Sequence, residues 1–207
     1  MSTSDQVRVD RGVTSGTFSL DGETHQVDNN VWVIGDDTEC VVVDAPHDVD
    51  EIMAVVGDRR VKAILCTHAH DDHVRAAPGL REVTKAPIFL HPEDRPVWEL
   101  THTDELWDVD LDDGDVVEVA GTSLRVIHTP GHAPGAVCFY AEQLGLLFTG
   151  DTLFNGGPGA TGRTFSDYDT IVSSIRSRLF DLPDGTVVHT GHGDDTTIGA
   201  ERANLGS

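Results

Sequence analysis

Lysine is nearly missing from this chain: only Lys62 and Lys85 occur in 207 residues. Fourteen Lys and Arg stand against 36 Asp and Glu, for a formal net charge of −22. A surface this negative repels phosphate backbones, so nucleic acid is not an expected partner. It fits a protein kept soluble in concentrated salt, and it fits equally a genome whose composition favours Asp and Arg over Lys. No apolar run approaches the roughly 18–20 residues that cross a bilayer, so no membrane span is expected. The opening stretch MSTSDQVRVD lacks the apolar core of a secretory leader, and a cytoplasmic protein is expected. Cysteine is scarce: Cys40, Cys66 and Cys138 lie in apolar, strand-like segments without C-x-x-C spacing. They read as reduced core residues. Long helical periodicity is rare, and no internal repeat or low-complexity tract is present. At this length, residues 1–207 are expected to form one domain with a substantial core.

What is present is a repeated plan, a short apolar strand ending in a loop that carries metal-binding side chains. Ala63-Ile64-Leu65-Cys66 runs into Thr67-His68-Ala69-His70-Asp71-Asp72-His73. Residues i and i+2 of a strand share a face, so His68 and His70 point the same way if strand geometry persists. Asp72 and His73 open the next element and face a second position. The plan recurs where Leu124–His128 meets Thr129-Pro130-Gly131-His132, where Leu146–Thr149 meets Gly150-Asp151-Thr152, and where Thr186–His189 meets Thr190-Gly191-His192-Gly193. Glycine beside each ligand permits tight turns and close backbone approach. Neutral imidazole with carboxylate suits zinc, iron or manganese.

The run THAHDDH resembles the T-H-x-H-x-D-H signature of the metallo-β-lactamase fold superfamily, and TPGH, GDTLF and GHG follow in that family's order and spacing. The resemblance covers about Asn30 to Glu201. Gly191 to Glu201, GHGDDTTIGAE, is similar to the corresponding segment of the hydroxyacylglutathione hydrolase (glyoxalase II) branch. The resemblance implies an α/β fold, a four-layer αββα sandwich with the metals at one edge between two sheets. It implies two divalent metal ions, zinc first with iron or manganese as substitutes. His68, His70 and His132 would bind the first, Asp72, His73 and His192 the second, and Asp151 would bridge them. A hydroxide shared by the two ions, oriented by Asp72, would attack an acyl carbonyl, and no Ser or Cys nucleophile is needed. The implied activity is hydrolysis of small acyl thioesters of a low-molecular-weight thiol, because a thiolate leaves readily and suits zinc. The alternatives are a mononuclear iron persulfide dioxygenase, a lactonase, and a non-enzymatic binding member. The diiron oxygen-reducing branch has Glu where this chain has His70, which disfavours that activity. Glyoxalase II proper carries a C-terminal helical extension that helps bind glutathione. This sequence ends about fifteen residues after His192, so another thiol is expected in its place.

Further expectations concern single residues and segments. Arg163, in the glycine-bearing loop Gly156–Arg163, is a candidate for holding a substrate carboxylate, with Tyr168 a second candidate. Asp44 reads either as a partner of the metal loop or as a plain turn residue at a strand end. His128 and His189 read as packed core histidines, and His25, His47, His91 and His102 as ordinary surface or loop residues. Strands are expected at 7–9, 16–20, 31–34, 40–44, 64–66, 88–90, 116–119, 122–128, 136–140, 146–149 and 187–189. Asp48 should cap a helix over 49–56 that ends at Gly57. Asp71 or Asp72 should cap a helix through Leu80, distorted by Pro78. The spacing of Ile171, Val172, Ile175, Leu179 and Phe180 predicts a helix over 166–180. The stretch 92–115 reads as irregular, either a cover over the site or a surface connection.

Overall fold

The computed structural model describes residues 6–205. The leader reading rests partly on residues 1–5, which lie outside that range. The chain opens with β1 (Arg8–Leu20) and β2 (Glu23–Gly35), paired antiparallel over their whole length. They meet at Asp21-Gly22, with φ of 56° and 81°, the two left-handed residues that a tight hairpin turn requires. The sequence pattern predicts two short strands in place of β1 and a β2 that begins eight residues later than the observed one. The Asp-Gly pair between Leu20 and Glu23 is the signal that marks the continuous hairpin.

The first sheet continues through β3 (Glu39–Val43), β4 (Arg60–Leu65), β5 (Ile88–Leu90) and β6 (Val109–Asp110), in the order β1-β2-β3-β4-β5-β6. The second sheet holds β7 (Val116–Val119), β8 (Thr122–His128), β9 (Val137–Ala141), β10 (Leu146–Gly150), β13 (Val187–Thr190) and β14 (Thr196–Thr197), in the order β14-β13-β10-β9-β8-β7. A small hairpin, β11 (Leu153–Phe154) with β12 (Gly157–Pro158), stands apart.

Alternation along the strands builds the layers. In β2, Trp32 and Ile34 face the second sheet, packing with Leu124, Val126, Phe139 and Phe148. Val31 and Val33 face the other way, toward Ile52 of α1 (Val49–Val56), Leu80 of α3 (Ala77–Thr84) and Trp98 of α4 (Arg95–Thr101). In the second sheet, Ile127, Cys138, Tyr140 and Leu147 turn outward onto Ile171 of α5 (Tyr168–Ser174) and onto Ile175 and Leu179 beyond it. The result is the four-layer αββα sandwich, helix, sheet, sheet, helix, with period-2 burial along the strands dividing the core into three apolar seams. Cys40, Cys66 and Cys138 are free and buried in these seams.

Asp48 caps α1 by accepting from the N–H of Asp50 and Glu51, and Gly57 ends it, as the sequence predicts. Neither Asp71 nor Asp72 caps a helix. Asp71 opens the single turn α2 (Asp71–Val74), and Pro78 sits in the first turn of α3, where its missing N–H costs nothing. Asp167 caps α5, whose continuation widens into a π turn over Ile175–Leu179. A further helix, α6 (Ile198–Leu205), follows β14. The stretch 92–115 is more ordered than its composition suggests. It forms a 3-10 turn at Pro92–Asp94, then α4, then β6, and Trp98 is fully buried with its indole N–H donating to Glu105 O at 2.8 Å. The acidic residues mask this because Val97 and Trp98 are its only large, fully inward side chains before Leu111.

Candidate metal centre

The four ligand loops meet at one end of the two sheets. Parallel pairing of β3 with β4 and of β10 with β13 brings their C-terminal ends together. His68 Nε2 and His132 Nε2 each lie 3.0 Å from His70 Nδ1. The second cluster is Asp72, His73 and His192: Asp72 Oδ2 lies 3.6 Å from His73 Nε2 and 3.3 Å from His192 Nε2. Asp151 stands between the clusters, with Oδ1 3.3 Å from His73 Nε2 and Oδ2 3.5 Å from His132 Nε2 and 3.4 Å from His192 Nε2. All seven predicted residues come together; His68, His70, Asp72, His73 and His132 are buried, and Asp151 and His192 are partly exposed toward the rim.

The second nitrogen of most rings is already committed. His132 Nδ1 donates to Ala160 O at 2.8 Å, and His192 Nδ1 donates to Asp28 O at 2.7 Å. His73 Nδ1 donates to Asp44 Oδ2 at 2.8 Å. Thr67 Oγ1 donates to Asp44 and so presents a lone pair to His68 Nδ1, 3.1 Å away. These partners occupy the Nδ1 atoms, leaving the Nε2 lone pairs of His68 and His132 bare and aimed inward, and directing Nε2 of His73 and His192 to the second position. Three nitrogen lone pairs at 3.0 Å repel unless a cation lies among them. Asp151 Oδ1 is also buried without a hydrogen-bond partner. Gly191 completes the cradle, since a Cβ there would fall 2.3 Å from Asp151 Oδ1 and 2.8 Å from His73 Cε1. The donor set of five imidazoles and two carboxylates fits two divalent cations of the zinc or iron kind.

The electrostatics divide the two clusters. Burial pushes His68 and His70 down, aided by neighbouring imidazoles, His70 to about 3. Burial also lowers His132 against the pull of Asp151. These three rings are neutral, as metal ligation needs. At His73 and His192 burial is outweighed by Asp151 and Asp72, and protons are held well above the usual range, to about 10 at His192. Asp72 is drawn down to about 2 against its burial by His73 and His192, and Asp151 falls well below the carboxylate range for the same reason. Those protons occupy the charge position that a second cation takes.

Asp44 proves to be a partner of the metal loop, with Oδ1 accepting the Thr67 N–H at 2.7 Å and Oδ2 accepting from His73. Sequence reading missed Asn29. Its amide nitrogen donates to Asp72 Oδ2 at 3.0 Å, and His47 Nε2 lies 2.8 Å from its carbonyl oxygen. His47, read as an ordinary loop residue, therefore stands behind the second cluster. The signal was the polar pair Asn29-Asn30 directly before the apolar run Val31–Ile34, where burial begins. His128 and His189 are partly buried and hydrogen-bonded, to Pro134 O and Asp195, as expected.

Over the clusters lies a cavity of about 80 Å³ lined by Phe18, Val27, Ala160 and Arg163 together with His70, Asp72, His132, Asp151 and His192. The β1–β2 hairpin forms its roof. The tip is tied down by Asp21, which accepts from Thr164 N and Oγ1 at 2.9 and 2.6 Å. Arg163 lies 4.8 Å over the Phe18 ring and 3.3 Å from His25 Nε2. Tyr168 sits in the first turn of α5, is 56% exposed, and does not line the cavity. Glu201 of the TTIGAE segment is buried and accepts from Thr196 Oγ1 at 2.6 Å and from Gly156 N. That segment braces the loop after Asp151.

The Metallo-beta-lactamase superfamily model matches residues 26–192. A hydroxyacylglutathione hydrolase, GloC of Haemophilus influenzae, is 32% identical over 83% of this chain and 87% of its own length. The crystal structure of the BLEG-1 B3 metallo-beta-lactamase is similar with a TM-score of 0.79, at 29% identity over 92% of this chain and 97% of the other. TTHA1623 in a di-iron-bound form is similar with a TM-score of 0.76, at 30% identity over 93% and 98%.

Proposed function

The chain belongs to the metallo-β-lactamase superfamily, and from that premise we propose that it is a binuclear metallo-hydrolase that cleaves small acyl thioesters of a low-molecular-weight thiol. The observation that carries the reading is the pair of inward-facing ligand clusters sharing Asp151 beneath a cavity of about 80 Å³. When bound, two divalent cations supply Lewis acidity and a water acidified toward neutral pH. The chain's own groups do the rest. Asp72, held ionised, accepts a hydrogen bond from the attacking water and orients it. Asp151 holds both clusters to one spacing. Phe18 and Val27 exclude bulk water and confine the acyl group. Arg163 offers the substrate a guanidinium for a carboxylate or other anion.

The hydroxyacylglutathione hydrolase relative supports a thioester, and the di-iron-bound neighbour supports iron as an alternative to zinc. The three free, buried cysteines fit a reducing compartment such as the cytoplasm, and no helix among the described residues is long and apolar enough to cross a membrane. The test is a panel of thioesters with one acyl group and different thiols, run beside a β-lactam and a phosphodiester. Thioesters should turn over fastest, with little preference for glutathione. Absence of thioester turnover, together with oxygen uptake on a persulfide, would overturn the reading.

A further inference from the structure

Two loops supply the first cluster: Thr67–His70 after β4 gives His68 and His70, and Thr129–Ala136 after β8 gives His132. They belong to different sheets, so the cluster exists only if the loops keep a fixed separation. One backbone hydrogen bond holds them, from the N–H of Val137, the residue after the second loop, to Thr67 O at 2.8 Å. A single tie is a hinge. The second tie comes from outside both loops. Asp94 is 0% exposed, at the end of the 3-10 turn that precedes α4. Its Oδ2 accepts the N–H of Ala69, between His68 and His70, at 2.7 Å. Its Oδ1 accepts the N–H of Gly135, three residues after His132, at 2.5 Å.

The surroundings are built for this contact. A Cβ at Gly135 would lie 2.7 Å from Asp94 N and 3.0 Å from Asp94 Cβ, so only glycine lets the loop come this close. The turn itself is seated against the same loop, because His91 stacks on His128 with ring centroids 4.1 Å apart at 12°. His128 in turn bonds through Nε2 to Pro134 O at 2.9 Å. His91, Glu93 and His128 also lie close enough to suggest a separate metal site. Parallel stacked rings cannot both hold one ion in their planes, so this trio serves as packing.

We propose that Asp94 is the positioning residue of the first cluster, a single carboxylate that locks the His68–His70 loop to the His132 loop at the spacing one cation needs. The inference rests on the two-cation reading and gives the start of the 92–115 segment a role: with α4 packed among the first sheet's helices, it holds Asp94 against the metal loops. Losing the carboxylate leaves the Thr67–Val137 hinge, about which the imidazoles can part. Asp94→Asn keeps one acceptor and turns an amide N–H toward the other donor, so one loop is released.

The experiment is zinc titration of metal-free protein against a chromophoric chelator in two backgrounds. His192→Ala leaves the first cluster intact, and His132→Ala leaves the second. Asp94→Asn should weaken zinc about 10- to 100-fold in the first background and leave the second unchanged. Gly135→Ala should reproduce that selectivity from the other side of the contact. Val97→Ala, a buried change three residues on in α4, should leave zinc affinity unchanged in both backgrounds. Equal weakening in both backgrounds, or none in either, overturns the inference while zinc binding by the parent protein keeps the two-cation reading. A parent protein that binds no zinc overturns both.

Discussion

Asp44 and His73 are joined at both ends of the metal loop's logic: Asp44 Oδ2 takes the Nδ1 proton of His73 at 2.8 Å while Oδ1 takes the N–H of Thr67 at 2.7 Å. One carboxylate therefore sets the tautomer of a ligand and the entry of its loop. Asp44 itself holds a left-handed backbone, φ 62°, a conformation that Asp and Asn tolerate better than most residues. Asp44→Asn keeps the backbone but loses the charge that stabilises the His73 donor. Affinity for the second cation should fall about 10- to 100-fold, read by chelator competition. An unchanged affinity would mean that His73 needs no orienting partner.

Gly191 lies against Asp151 and His73. A methyl group there must displace Asp151 Oδ1, 2.3 Å away. Gly191 has no positive φ, so backbone strain does not confound the substitution. Gly191→Ala should lose metal and activity together while circular dichroism stays native. Full metal content in this variant would show that the cradle can widen.

Asp151 touches both clusters and His192 only one. Asp151→Ala should abolish turnover and weaken both ions. His192→Ala should keep the first ion and retain a reduced rate. Elemental analysis beside steady-state kinetics separates the two, and near-normal turnover by Asp151→Ala would remove its bridging role.

Burial pushes the Asp94 carboxyl up to about 7 from its ordinary 3.8, against the pull of its two backbone donors. A group that holds its proton more tightly when folded adds stability below its unfolded value, and that contribution is lost as pH rises through the folded value. The metal-free protein should therefore lose stability between about pH 4 and pH 7 through this group. Asp94→Asn removes that component, so the gap in melting temperature between parent and variant should shift against the parent as pH rises across this window. A gap independent of pH would show that Asp94 stays ionised throughout.

Much of the site was legible because its ligands are local. His68, His70, Asp72 and His73 fall within six residues, and His132, Asp151 and His192 each come shortly after an apolar strand and directly after a glycine. The alternation of Trp32 and Ile34 against Val31 and Val33 carried the layering. What stayed hidden depends on contacts distant in sequence. Asn29 reaches Asp72 across 43 residues, and Asp94 reaches Gly135 across 41. Asn29 is marked only by standing with Asn30 before an apolar run, and nothing near Asp94 distinguishes it from a polar side chain facing water. The hairpin roof was hidden for another reason: residues 23–28 of β2 are mostly exposed and polar, so periodicity gives no strand signal there. Only the Asp21-Gly22 turn marks it.

One chain should hold two cations, one in each ligand cluster. Elemental analysis of purified protein after loading with zinc and removal of excess metal tests it most directly. Two zinc ions per chain are expected, falling to one in His192→Ala. One iron per chain with a second position that stays empty after zinc loading would contradict it and favour a mononuclear oxygen-using enzyme.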